Sequence, residues 1–174
     1  ETFGDSLGVD AWKSIQNFDA IPDNIAEQMA ESAERNKLIV DRYRKNQDKY
    51  GQTIVFAVNV THAIQLTALF KKAGIKADYI VSSIKDSVTG VTISSQENEQ
   101  KIADYREGRL QVLINVNILT EGSDLPKTKT IFLARPTVST ILMTQMIGRA
   151  LRGTKAGGTA EAYIVSFIDH WNEH

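Results

Sequence analysis

Cysteine is absent from this chain of 174 residues, and histidine occurs only three times. The lack of thiols excludes disulfide bonds and thiolate metal sites. His62, His170 and His174 do not have the spacing of metal ligands, so we expect no zinc or other metal site within the chain. Positive and negative charges nearly balance at a formal net charge of -1. The chain therefore lacks the basic surface of a protein that binds nucleic acid unaided, although a local contact remains compatible with this charge.

A long, uninterrupted apolar run is also missing. Residues 50–70 contain no charged side chain, but Asn59, His62 and Gln65 interrupt them and the apolar period changes midway. We expect a buried strand followed by an amphipathic helix there, and no membrane contact. No signal peptide is visible, and the chain begins at Glu1 rather than Met. We therefore expect an excised or processed piece of a soluble, cytoplasmic protein.

Apolar periodicity indicates an α/β protein. The first twenty residues are weakly patterned, and one or two helices follow between Pro22 and Gly51. Further helices are predicted to begin at Asn59 or Thr61, near Ser94, and at Ser139 or Thr140. The predicted strands are Thr53–Val58, Ala77–Val81, Gln111–Asn115, Thr130–Leu133 and Ala160–Phe167.

This alternation predicts a mostly parallel sheet with helices on both faces, in three layers. Ligands of such sheets bind at the carboxyl ends of the strands. The loops at Asn59, Ser82, Asn115 and Gly122 would lie at that edge.

The helix predicted around Gln145–Arg152 has two distinct faces. Six apolar residues occupy about half of its helical wheel, and Gln145, Gly148, Arg149 and Arg152 share a separate arc of about 100°. Two guanidinium groups on one face suit a polyphosphate, whose oxygens match their fixed donor geometry. The structural alternative is a pair of solvated arginines near a helix C-terminus, where the helix dipole favours positive charge.

A Gly-Ser-Asp loop, Gly122–Asp124, precedes that helix by about twenty residues. Glycine permits close approach of the backbone to a ligand, and the carboxylate of Asp124 can accept a hydrogen bond from a ribose hydroxyl. In the structural alternative, Asp124 bonds its own backbone in a turn before Pro126. Both roles can coexist.

Three segments together resemble the second RecA-like lobe of superfamily-2 helicases and translocases. Thr53–Asn59, Leu119–Pro126 and Gln145–Arg152 are similar to that family's motifs IV, V and VI, in the same order. The run Ala134–Thr137 resembles the restriction-enzyme and repair-translocase branch more than the DEAD-box branch. The resemblance covers roughly residues 39–169. It implies that residues 51–174 form the helicase C-terminal domain, and that residues 1–50 form a helical segment leading into it.

The resemblance also implies an ATP site shared between two lobes. Arg152 would act as the arginine finger on the γ-phosphate, while Arg149 would contact phosphate and hold the lobes closed. Gln145 would order the helix at the cleft, and Gly148 shares its face. Gly122 and Asp124 would lie at the same cleft.

Strand-backbone contacts are implied for Asn59, Ser82, Asn117 and Thr120, each able to bond phosphate without reading sequence. Many relatives have threonine where this chain has Val116, so that hydroxyl contact is either absent or supplied by Thr120. Asn59 and Ser82 could equally be helix caps or loop residues. We interpret His62 as an ordinary surface histidine. DNA is favoured over RNA as the partner.

No phosphate-binding loop G-x-x-x-x-G-K-[ST] and no acidic motif II occur in the chain. ATP and Mg²⁺ would therefore be held mainly by an N-terminal lobe, which becomes the second expected partner. One alternative is an inert RecA-like lobe that docks nucleic acid or protein, although such a surface has no need of Gln145, Arg149 and Arg152. A flavodoxin-like nucleotide domain is the other alternative, but no glycine-rich turn follows Val58.

This absence predicts that the isolated chain binds ATP weakly and hydrolyses none measurably. The arginines accelerate phosphoryl transfer only when phosphates, metal and water are already held. An ATPase assay of the isolated chain with single- and double-stranded DNA and RNA checks this. Robust stimulated hydrolysis would contradict it.

Overall fold

The computed structural model describes residues 2–7, 23–81, 95–116, 128–135 and 163–173. Within these ranges the strands are β1 Thr2–Leu7, β2 Thr53–Phe56, β3 Ala77–Val81, β4 Val112–Val116, β5 Thr130–Leu133, β6 Tyr163–Ser166 and β7 Ile168–Glu173. The helices are α1 Asp23–Glu31, α2 Ala33–Lys45, α3 Gln47–Tyr50, α4 Val60–Lys72 and α5 Ser95–Arg106.

Five of these strands form one parallel sheet in the order β3-β4-β2-β5-β6. Phe56 of β2 pairs with Asn115 of β4 on one side and with Leu133 of β5 on the other. The carboxyl ends of these three strands therefore lie side by side. The predicted α/β fold and parallel sheet are confirmed, and the chain segments that leave β2, β4 and β5 start at one edge.

Side chains of the central strands alternate between two cores, because successive strand residues point to opposite faces. Val55, Ile114 and Phe132 pack with α2 and α4 on one face, and Ile54 and Leu113 with their neighbours face Tyr105 of α5 on the other. The central strands are buried on both faces, as their continuous apolar sequences predicted.

Helix α2 contributes a polar as well as an apolar stripe to the first core. Ser32 caps the helix by accepting a hydrogen bond from the backbone of Arg35 at 3.2 Å. Its buried residues follow helical spacing, and they are Arg35, Asn36, Ile39, Val40 and Tyr43. Two of the five are polar, which an apolar stripe alone does not explain.

Helix α4 ends in a Schellman motif, which stops the helix and turns the chain into β3. Gly74 has φ 81°, its N–H bonds the carbonyl of Lys71 at 3.0 Å, and Ile75 N–H bonds that of Phe70 at 3.0 Å. Glycine adopts this left-handed conformation without the steric cost that a Cβ imposes.

The structure refines several boundaries and adds two strands. Ala77–Val81 and Thr130–Leu133 are confirmed residue for residue, whereas β2 ends at Phe56. The segment between Pro22 and Gly51 forms three helices rather than one or two. Thr2–Leu7, in the weakly patterned start of the chain, pairs in parallel with Ile168–Glu173.

Phe132 should dominate the stability of the first core. It is fully buried, and its ring lies 5.3 Å from that of Tyr50, 5.4 Å from Phe167 and 6.1 Å from Tyr43, measured between centroids. We predict that Phe132→Ala lowers the free energy of unfolding by about 3–5 kcal/mol. Urea denaturation measures this.

Ile164 on the neighbouring strand β6 provides the matched control, because its side chain is 48% exposed. Ile164→Ala should cost less than about 1 kcal/mol. Equal losses for the two variants would mean that the ring cluster is not the centre of this core.

Candidate functional site at the carboxyl edge of the sheet

The described residues include one of the ten predicted site residues, Asn59. The other nine lie outside the described ranges and remain predictions: Ser82, Asn117, Thr120, Gly122, Asp124, Gln145, Gly148, Arg149 and Arg152. What the structure describes is the frame from which their loops depart, namely the carboxyl ends of β2, β3, β4 and β5.

Asn59 lies three residues beyond the end of β2 and caps helix α4. Its side-chain Oδ1 accepts a hydrogen bond from the backbone N–H of His62 at 2.8 Å. The structural role anticipated for this residue is therefore present. The cap occupies the oxygen of the carboxamide and not its nitrogen, so Nδ2 can still donate to a phosphate.

His62 is fully buried, so its interpretation as a surface histidine is wrong. Its Nδ1 accepts the backbone N–H of Val58 at 3.1 Å, so Nε2 carries the proton and donates to Asn36 Oδ1 at 2.9 Å. Burial, followed by the nearby charge of Arg35, lowers the pKa of His62 from 6.5 to about 3. The ring is therefore neutral at physiological pH and serves to hold the turn after β2.

Asn36 completes this polar contact from helix α2. Its Nδ2 donates to the carbonyl of Ala30 at 2.9 Å and to Gln65 Oε1 at 3.1 Å, while its Oδ1 faces His62. The carboxamide joins α1, α2 and α4 in one buried hydrogen-bonded group. The sequence signal was present, because Asn36 falls on the buried stripe of α2.

Arg35 is the largest fully buried polar side chain of the described residues, with 2% of its surface exposed. Its Nη2 donates to the carbonyl of Ala134 at 2.7 Å, across 99 residues of sequence. Ala134 follows β5 directly and donates its own N–H to Phe56 of β2 at 3.1 Å. Helix α2 thus holds the segment that leaves β5 toward the predicted arginine helix.

Two buried asparagines occupy the other side of the same edge. Asn98 of α5 donates from Nδ2 to the carbonyl of Val81, the last residue of β3, at 2.6 Å. Asn115 of β4 is 1% exposed, and its carbonyl accepts the N–H of Ala57 at 3.0 Å. Sequence analysis missed Asn98. The one available signal was its position in the first turns of a predicted helix.

The described edge therefore supplies amides, a neutral imidazole and a buried guanidinium, which hold backbone rather than transfer protons. Within the described ranges no group of three histidines, cysteines, aspartates or glutamates lies close enough to hold a metal ion. In the same part of the chain, no helix has the length and apolarity to cross a membrane. Reactive groups would have to come from the loops that this frame carries or from another domain.

Comparisons with known proteins match the chain to helicases. The family model of the helicase conserved C-terminal domain matches residues 34–154, a range that includes all three motif segments. The chain is 37% identical over 121 residues to the putative ATP-dependent helicase IRC3 of Saccharomyces cerevisiae, covering 68% of this chain and 16% of that protein. It is 34% identical over 146 residues to the putative mitochondrial ATP-dependent helicase irc3 of Schizosaccharomyces pombe, covering 82% and 22%.

Among solved structures, the C-terminal domain of the DEAD-box protein Dbp5 has a similar fold. The TM-score is 0.62 at 24% identity, with 79% of this chain and 71% of that one covered. The RecA-like fold implied by the resemblance is confirmed. The assignment to the restriction-enzyme and repair-translocase branch stays a prediction.

The burial of His62 predicts a specific loss of stability in acid. In the unfolded chain His62 titrates near pH 6.5, whereas the folded protein keeps it neutral until about pH 3. Stability from neutral His62 is therefore complete above pH 6.5 and is lost as the pH falls toward 3. Replacing His62 by glutamine removes this dependence, so the stability difference between wild type and His62→Gln should narrow by about 2 kcal/mol from pH 7 to pH 5.

Urea denaturation of both proteins at the two pH values measures this difference. Arg44→Gln, an exposed change on α2, is the control and should keep a constant difference in stability from wild type at both pH values. If the His62→Gln difference were also constant, His62 would titrate alike in both states and would not be buried as described.

Proposed function

The chain belongs to the family of helicase conserved C-terminal domains, and from this premise we propose that it is the second motor lobe of an ATP-dependent nucleic-acid helicase or translocase. It spans 16–22% of the length of the two yeast relatives that it matches. The remaining parts of such a motor, including an N-terminal RecA-like lobe, would belong to the rest of the parent protein. The observation that carries the proposal is the family match across residues 34–154, a range that contains the three segments resembling motifs IV, V and VI.

The ATP site in this proposal is completed between two lobes. The N-terminal lobe supplies the phosphate loop and the carboxylate that holds Mg²⁺, consistent with the lack of a phosphate-loop motif here. This chain supplies Arg152 as the arginine finger and Arg149 as a second phosphate contact. Gln145 and Gly148 share their helix face, and Gly122 and Asp124 approach the nucleoside. The reaction is hydrolysis of the β–γ phosphoric anhydride bond, with the arginines stabilising charge on the transferred phosphoryl group.

The nucleic-acid contact is proposed at the same carboxyl edge. Asn59 lies there with its Oδ1 fixed by the α4 cap, beside the backbone N–H groups at the N-terminus of that helix. Such N–H groups attract phosphate oxygens without reading base sequence. Ser82, Asn117 and Thr120 would extend the contact from the loops after β3 and β4. DNA is the proposed nucleic-acid partner. Stronger stimulation of ATP hydrolysis by RNA than by DNA would revise this.

Motion follows from sharing the ATP site between lobes. ATP closes the cleft because its γ-phosphate is held from both sides, and hydrolysis removes that link. Contacts of each lobe with the nucleic-acid strand then alternate with opening and closing, which moves the protein along the phosphate backbone.

The proposed compartment is the cytoplasm, although the name of the fission-yeast relative assigns that protein to mitochondria. Fractionation of cells that express the full-length protein would decide between the two.

Arg152→Ala in the full-length protein tests the proposal most sharply. We predict that kcat for nucleic-acid-stimulated ATP hydrolysis falls by at least about 10³-fold, because an arginine finger acts on the transition state. The dissociation constant for ATP should change by less than about tenfold. An ATPase assay with single- and double-stranded DNA and RNA, together with nucleotide titration, measures both quantities.

Arg44→Ala is the matched control, because Arg44 is an exposed arginine in the last turn of α2. It should change neither quantity by more than about twofold. Equal losses of turnover and ATP affinity in Arg152→Ala would assign Arg152 to binding or folding. If the wild-type protein bound nucleic acid but hydrolysed no ATP, the inert docking lobe would be the correct function.

A further inference from the structure

Two segments leave the carboxyl edge toward the proposed functional loops, and one buried polar group touches both. We name this group the Arg35 cluster and define it as Arg35, Asn36 and His62. One segment is the turn after β2, Val58–Asn59, and the other is Ala134–Arg135 after β5. Arg35 and Asn36 are consecutive residues of α2, so both contacts start from the same turn of one helix.

The contact to β5 is a charge-assisted hydrogen bond in the interior. Arg35 Nη2 lies 2.7 Å from the carbonyl oxygen of Ala134, and both residues are buried. Ten residues after Arg135 the chain reaches Gln145, the first of the residues proposed to face ATP. The guanidinium therefore fixes the exit of the segment that carries both proposed catalytic arginines.

The contact to β2 passes through two side chains. Asn36 Oδ1 accepts from His62 Nε2 at 2.9 Å, and His62 Nδ1 accepts the N–H of Val58 at 3.1 Å. His62 N–H also donates to the side chain of Asn59 at 2.8 Å. Asn59, the proposed nucleic-acid contact, is therefore held twice: through its cap of His62 N–H and through the bond of its neighbour Val58 to the His62 ring.

Net stability does not explain why a charged residue occupies this position. Arg35 precedes Ile39 and Val40 by one helical turn, on a stripe where an apolar side chain would pack. Burying a guanidinium costs free energy, and apolar replacement of buried charged groups is often neutral or stabilising. A buried polar group fixes the position of the segments that it bonds, because its hydrogen bonds form in only one relative orientation of donor and acceptor.

We propose that the Arg35 cluster is a set of positioning residues that hold the turn after β2 against the exit of β5, so that the nucleic-acid contact and the ATP-facing arginines move as one body. This inference rests on the proposed function. It assigns to helix α2 the coupling between strand binding and ATP turnover within this lobe. Its consequence is that loss of Arg35 disturbs the carboxyl ends of β2 and β5 while their amino ends keep their structure.

Amide hydrogen exchange on the isolated chain tests the structural half of this inference. In Arg35→Met, we expect the amides of Val58 and Ala134 to exchange at least about tenfold faster than in wild type, the effect of losing one hydrogen bond to a charged group. Thr53 and Thr130, at the amino ends of the same strands, should change by less than about twofold. Lys37→Met, an exposed change on the same helix, should leave all four amides unchanged.

Equal acceleration at both ends of the strands would overturn the proposal, because it would mean that Arg35 contributes only to global stability. Unchanged exchange at Val58 and Ala134 would also overturn it. Acceleration at Ala134 alone would separate the two contacts and contradict their action as one unit.

Kinetics of the full-length protein test the functional half. Arg35→Met should lower nucleic-acid-stimulated kcat about tenfold more than the unstimulated rate, with KM for ATP within about twofold of wild type. A merely structural role would lower both rates by the same factor, because less enzyme would be folded. If wild type showed no stimulated hydrolysis, the proposed function would fail, while the exchange measurement would still decide whether the cluster positions these segments.

Discussion

The parallel direction of the five sheet strands is the constraint on which the rest of this structure depends. Because β2, β4 and β5 pair in register, the chain leaves all three at one edge, and residues distant in sequence start from adjacent points. Burial on both faces requires helices on both sides, and those helices return the chain to the opposite edge. The loops proposed for the site therefore start from adjacent strand ends.

Backbone pairing alone leaves the ends of the strands free to shift. Buried polar side chains restrain these ends by hydrogen bonds to the main chain. Arg35 bonds Ala134 after β5, His62 bonds Val58 after β2, and Asn98 bonds Val81 at the end of β3. Each contact comes from a helix and reaches a main-chain atom at the carboxyl edge. Polar side chains, whose burial costs free energy, thus lie at the carboxyl edge of the sheet. That is where a site shared between two lobes would need fixed backbone positions.

Local pattern predicted the sheet well, because a strand buried on both faces is a continuous apolar run and its limits are turn residues. Ala77–Val81 was predicted residue for residue, and Asn59, one of the two predicted caps of α4, is the cap in the structure. The burial of His62 was not predicted, because it depends on Asn36 lying opposite, 26 residues earlier in the chain. The pairing of Thr2–Leu7 with the far end of the chain was missed for the same reason.

The central claim is that this chain contributes one side of an ATP site which another lobe completes. A structure of the full-length protein with nucleic acid and ADP–aluminium fluoride, a mimic of the transferred phosphoryl group, tests it directly. We predict that a guanidinium nitrogen of Arg152 lies within about 3 Å of a fluoride of the mimic, with Arg149 beside it and the phosphate loop on the facing lobe. Both arginines turned to solvent, or paired with carboxylates of their own lobe in the closed state, would contradict the account.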